Sequence, residues 1–241
     1  MMHTFEVPYY EPHGLKTTVI GQPALARSQR LDGLPFREKY GLGADDELLL
    51  VLPGSRKAEI ERVAPPLIEA AKALSDQRPG LRVCVAPARN VLENFQQGFP
   101  QLPDNWILLQ DDSQRYEAMA AATLGLSCSG TVNTELAVQG TPFITGYKIG
   151  AISWSLLKTF FLKADYITLL NMAAGRMIAR EFLQGAMTGE ALTSEAIRLL
   201  DDRAALLWQQ QAQDEALKIM GFGKRSAQDI SAEAILQNLA L

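Results

Sequence analysis

Histidine is almost missing from this 241-residue sequence. His3 and His13 are the only two, so nothing from residue 14 onward can use an imidazole as acid, base or metal ligand. Much ordinary hydrolase chemistry is thereby excluded from the main fold. Cysteine is equally scarce: Cys84 and Cys128 lie in apolar runs, at a spacing that suits neither a disulfide framework nor a metal site. A reducing cytoplasm is the natural compartment, and no metal or cofactor is expected. No apolar run reaches the roughly 18 residues of a spanning helix, and MMHTFEVPYYEPHG does not read as a signal peptide, so a chain not integral to a membrane is expected. An excess of positive charge is missing too. With 23 basic against 27 acidic residues the net charge is −4, which offers nucleic acid no global field.

What is present is ordinary for a globular protein: 47% hydrophobic and 21% charged residues, in a length of about one and a half typical domains. Apolar runs alternate with helical patterns. Strands are expected at Thr17–Ile20, Glu47–Leu52, Leu81–Ala86, Trp106–Gln110, Leu124–Ser127 and Pro142–Thr145. From the second onward these runs are continuously apolar, as in a parallel sheet covered on both faces. A short helical turn from about Lys57 and a longer helix from about Pro65 are expected, because Pro65-Pro66 interrupts the apolar face that starts at Ile60. Further helices are expected at Phe36–Tyr40, Val91–Phe99, Tyr116–Ala122 and in the stretch closed by Gly140. After Tyr147 the pattern is helical: Ser153–Leu162, Met177–Gln184, Thr188–Leu200, Arg203–Met220 and Ser226–Leu239. The reading is a doubly wound, Rossmann-like α/β domain with a helical C-terminal extension.

Ligands of doubly wound sheets gather beyond the carboxyl ends of the strands, where two loops stand out. One is Pro53-Gly54-Ser55-Arg56. It reads either as a simple turn or as an anion site, with backbone N–H groups and the Arg56 fork facing a phosphate. The other is Ser129-Gly130-Thr131, with Glu135 one turn into the next helix; here the alternatives are a phosphate loop and a plain helix cap. Neither loop carries the G-x-G-x-x-G or G-x-x-x-x-G-K-[ST] fingerprint. A nucleotide held without those motifs is the habit of nucleotide-sugar transferases.

The successive stretches LPGSRKAEI, CSGTVNTELAVQGTPFITGYKIG and LKADYITLLNMAAGRMIAREFLQ resemble the signatures of lipid-A-disaccharide synthases, glycosyltransferases with two Rossmann domains (GT-B). FEVPYYEPHGLKTTVIGQP and RYEAMAAATLGLS follow in the family's order and spacing. The resemblance implies transfer from UDP-2,3-diacylglucosamine to 2,3-diacylglucosamine 1-phosphate with release of UDP, at the cytoplasmic face of the inner membrane. Carried over by residue, it implies that Gly54, Ser55 and Arg56 line the diphosphate, that Ser129, Gly130 and Thr131 bind phosphate, and that Glu135 holds the ribose. Asn171, in a loop before a GRMIAREFLQ helix, completes the pocket together with Glu181 and Gln184, for which exposed positions on that helix are the alternative. On this reading Arg56→Ala weakens UDP binding by about 1.5 to 3 kcal/mol.

The resemblance also implies a division into residues 1–24, a remnant of an N-terminal domain and connection; 25–222, the nucleotide-sugar-binding domain; and 223–241, a crossover helix. The resemblance implies that the acceptor site and catalytic base belong to an N-terminal domain, which is expected to be absent from this sequence. By the resemblance, two departures are expected to touch the inter-domain cleft: Gln22 where the family usually has His, and Leu170 where it often has Pro. The stretch around Trp154, Phe160 and Phe161 suits either a membrane surface and acyl chains or a core or subunit interface, a homodimer among them. The rival readings are another UDP-sugar enzyme, such as a UDP-GlcNAc 2-epimerase or the peptidoglycan-building transferase, and a non-catalytic nucleotide-binding subunit.

Overall fold

The computed structural model describes residues 1–22, 25, 28–150, 165–223 and 227–239. The helix expected at Ser153–Leu162, with Trp154, Phe160 and Phe161, lies outside the described residues. Six strands form one sheet: β1 (Leu48–Leu52), β2 (Arg82–Val85), β3 (Ile107–Leu108), β4 (Leu124–Cys128), β5 (Phe143–Tyr147) and β6 (Glu181–Leu183). Their order is β3-β2-β1-β4-β5-β6 and every pairing is parallel. The chain therefore winds outward from β1 to β3, returns to the centre at β4 and winds out the other way. That reversal puts the topological switch point between β1 and β4, where Val51 faces Leu126 and Leu52 faces Ser127.

The continuous apolar strands are explained by two cores. Leu49 and Val51 of β1 point into one, while Leu48, Leu50 and Leu52 point into the other. The first core is closed by α2 (Lys57–Arg62), α3 (Ala64–Gln77), α4 (Leu92–Gly98) and α8 (Gly189–Asp201), through Ile60, Leu67, Phe95 and Leu192. The second is closed by α1 (Leu34–Lys39), α5 (Arg115–Ala121), α6 (Thr131–Gln139), α7 (Leu169–Ala174) and α9 (Arg203–Ile219), through Phe36, Met119, Leu136, Leu170 and Leu217. A final helix, α10, spans Ala227–Leu239. Pro65 and Pro66 fall in the first turn of α3, where a missing N–H costs nothing, so α2 ends at Arg62 and a separate helix begins.

Two expectations are corrected. Thr17–Ile20 is not a strand. It has no buried face, and its backbone pairs with the chain's own start: the Met1 ammonium donates to the Thr18 carbonyl at 2.9 Å and the Ile20 N–H to the Met1 carbonyl at 3.0 Å. Met177–Gln184 is not a helix. Its residues have good helix propensity, but Glu181–Leu183 pair with Thr145–Tyr147 as β6 and cover the open edge of β5. The Asn171 carboxamide oxygen accepts from the Ile178 and Ala179 N–H groups at 2.8 and 3.0 Å, which removes those donors from any helical ladder.

Candidate functional site

Both loops singled out in the sequence leave the sheet at the switch point. The one after β1 is shaped by Glu59, three residues into α2 from its N-cap. Glu59 Oε2 accepts from the Ser55 N–H at 2.7 Å and the Arg56 N–H at 3.1 Å, and Oε1 accepts from the Arg56 guanidinium at 3.0 Å. The backbone donors that would suit a phosphate therefore already hold a carboxylate, and Arg56 is 81% exposed with its charge matched by Glu59. Gly54 makes this possible: its φ is +128°, and a Cβ there would meet the Glu59 Cβ at 2.6 Å. The loop is also tied to the chain after β2, through Asn90 Nδ2 to the Ser55 carbonyl at 2.8 Å.

The loop after β4 is built the opposite way. A buried polar cluster anchors it: Ser127 Oγ donates to Asn133 Oδ1 at 2.7 Å, and Asn133 Nδ2 to Thr145 Oγ1 at 3.1 Å. Ser129 N–H donates to the Gly146 carbonyl at 2.9 Å. The first turn of α6 is thus clamped to the ends of β4 and β5. Its anion-suited groups stay open: among the described residues, the N–H groups of Gly130, Thr131 and Val132 make no hydrogen bond. Gly130 is extended, with φ 161°, and a Cβ there would meet no protein atom within 4 Å. Nothing in the fold requires a glycine at that position.

The two loops line one cleft of about 480 Å³. All of Gly54, Ser55, Arg56, Ser129, Gly130, Thr131 and Glu135 belong to its wall. Its charged lining comprises two guanidinium groups, Arg56 and Arg115, and three carboxylates, Glu59, Asp112 and Glu135. Tyr116 Oη donates to Glu135 Oε1 at 3.2 Å; burial and that carboxylate push the phenol above its ordinary pKa. Cys128, also in the wall, has its thiol pushed up to about 12, mainly by burial, so it stays protonated and is no nucleophile. A neighbouring cavity of about 400 Å³ shares Tyr116, Thr131 and Glu135 and continues to Gln22, Leu31 and Gln139. Gln22 thus lines a cavity, whereas Leu170 is fully buried core.

Three expected site residues stand in a different assembly. Asn171 is on α7 rather than in a loop, and is fully buried; its Nδ2 donates to the Ala179 carbonyl and to Glu181 Oε1 at 2.8 and 2.7 Å. Glu181 is on β6 rather than on a surface helix, and also accepts from the N–H groups of Ile167 and Thr168, at 2.9 Å each. Gln184 begins a 3-10 turn at φ 51°, and its side-chain amide meets both backbone groups of Ile149 at 3.2 Å. None of the three lines the cleft. The residues that sequence reading left unassigned are Glu59, Asn133, Arg115 and Tyr116. Only Glu59 had a local signal, three residues after a possible N-cap.

Compared with known proteins, residues 1–235 match the family model of lipid-A-disaccharide synthetase, LpxB. The chain belongs to the lipid-A-disaccharide synthase family. The lipid-A-disaccharide synthase of Rhodospirillum centenum is 33% identical over 233 residues, 96% of this chain and 58% of the relative. This member of the family thus spans about three fifths of the length of the curated relatives it matches. Among solved structures, sucrose-phosphate synthase of Thermosynechococcus elongatus superposes with a TM-score of 0.59 at 16% identity, covering 100% of this chain and 58% of that one. The UDP-GlcNAc 2-epimerase of Neisseria meningitidis, bound to UDP-GlcNAc, gives 0.58 at 12% identity, covering 94% and 58%. The six-stranded parallel domain described here therefore has the fold of one Rossmann-like half of a GT-B glycosyltransferase.

Proposed function

We propose that this chain holds the donor of a glycosyl transfer in lipid A biosynthesis, the UDP-2,3-diacylglucosamine whose sugar passes to 2,3-diacylglucosamine 1-phosphate with release of UDP. The observation that carries this reading is the convergence of the β1 and β4 loops at the switch point of the sheet, with Glu135 in the same wall. The diphosphate takes the open N–H groups at the start of α6, and Glu135 accepts from the ribose hydroxyls in place of the Tyr116 hydroxyl. Family membership supports the donor and acceptor classes. No residue of the cleft is assigned as the base that deprotonates the acceptor. The cytoplasmic face of the inner membrane, where both acylated substrates reside, is the corresponding place of action.

Titration calorimetry tests the reading. UDP is expected to saturate one site, and Glu135→Ala to weaken it by about 1 to 2 kcal/mol, a hydrogen-bonded contact to a charged acceptor. Binding of 2′,3′-dideoxy-UDP is expected to be the same in both proteins. Absence of UDP binding, or a preference for an unacylated UDP-sugar over the 2,3-diacylglucosamine derivative, would overturn it.

A further inference from the structure

We infer that Arg115, and not Arg56, is the cation that holds the donor's phosphates. The inference rests on the donor-binding reading above and assigns the phosphate contact to the first residue of the RYEAMAAATLGLS stretch, which had no role from the sequence. Arg115 opens α5, after a 3-10 turn capped by Asp111, whose carboxylate accepts from the Ser113 N–H at 3.1 Å and the Ser113 hydroxyl at 2.7 Å. Its side chain is 17% exposed and lines the cleft together with Ser129, Gly130 and Thr131.

What separates Arg115 from Arg37, Arg78 and Arg30 is its lack of hydrogen-bond partners. Arg37 donates to the carbonyls of Ala121, Gly43 and Asp46; Arg78 to Glu47 and Asp201; Arg30 to the Val138 carbonyl and Asp214. Among the described residues Arg115 donates no hydrogen bond at all. Its Nε is buried without a partner, and its nearest carboxylate, half-exposed Asp112, is 3.8 Å away. A largely sheltered guanidinium with its Nε buried and unpartnered, and one distant carboxylate, recovers little of its desolvation cost from the fold. A group kept in that state beside open backbone N–H groups suits a planar, bidentate partner with negative charge, which a phosphate supplies. Arg56 has the converse properties: solvent exposure and a carboxylate already at 3.0 Å.

The test is to measure UDP, inorganic pyrophosphate and uridine binding to the wild-type chain, Arg115→Gln, Arg115→Lys and Arg56→Gln, with urea unfolding of each protein alone. Arg115→Gln is expected to lose at least tenfold in affinity for UDP and pyrophosphate, to keep uridine within twofold, and to unfold at the same or higher urea than wild type. Arg115→Lys is expected to fall between, and Arg56→Gln to lose less than fivefold. The unchanged urea midpoint distinguishes a ligand cation from a structural arginine, whose removal would lower it. Wild type that binds UDP while Arg115→Gln binds it equally well overturns this inference alone. Wild type that takes neither UDP nor pyrophosphate overturns it together with the donor-binding reading. If Arg115→Gln fails to fold, the structural role is the correct one and the inference falls.

Discussion

The carboxylate of Glu59 reaches back to the Ser55 N–H at 2.7 Å, so the loop after the first strand is closed on an anion of its own. This reciprocal cap ties the loop to the first turn of α2. Glu59→Ala is expected to lower stability by about 1 kcal/mol, the cost of losing a helix cap, measured by urea unfolding.

Arg56 shares that carboxylate and is 81% exposed. Its contribution to donor affinity is accordingly that of a screened surface charge, about 1 kcal/mol or less, instead of the larger value that the motif alone suggested. Calorimetry with UDP on Arg56→Ala checks this; a loss above tenfold would restore Arg56 as the main phosphate contact.

Two glycines of the cleft make opposite predictions. Gly54→Ala forces a Cβ into Glu59 at 2.6 Å and an unfavourable φ of +128°, so it is expected to destabilise the chain by about 1 to 3 kcal/mol. Gly130→Ala meets open space in an extended backbone and is expected to leave stability within about 0.5 kcal/mol. Its methyl group would occupy room used by the ligand, so UDP affinity is expected to fall. Parallel urea unfolding and calorimetry separate the two effects.

Asn171 satisfies four hydrogen bonds inside the protein, two as donor and two as acceptor, and ties α7 to the strand that covers β5. Asn171→Ala is expected to cost about 2 to 4 kcal/mol, because the Ile178 and Ala179 N–H groups are left buried and unmatched. Loss of donor binding in this variant should track its unfolding, with affinity recovered at low temperature or in stabilising osmolyte. Weakened binding in a fully folded variant would point instead to direct ligand contact.

Both cysteines are buried, and burial pushes both thiols up, that of Cys128 from its ordinary 9.0 to about 12. At pH 8 roughly one Cys128 in ten thousand is thiolate, so neither residue should react with iodoacetamide in the native chain, while both react in urea. The raised value means the folded state holds its proton longer than the unfolded state. The associated stability is full below pH 9 and is lost as pH rises towards 12, which a pH series of urea midpoints would reveal.

By itself the sequence determined the doubly wound architecture, the position of five of the six strands, and the two loops at the carboxyl edge. Those features are local: continuous apolar runs, turn residues and helix periods are written in neighbouring positions. It also determined the family, through short stretches in a fixed order. Tertiary structure decided the rest. The strand Glu181–Leu183 has helix-forming residues and exists because β5 needs a partner and Asn171 removes the helical donors. The fate of each polar group was decided the same way: Glu59 took the N–H groups offered by Ser55 and Arg56, Glu181 took those of Ile167 and Thr168, and the Arg115 Nε was left without an acceptor. Which donor finds an acceptor depends on distances between segments far apart in the chain, and no spacing along the chain encodes them.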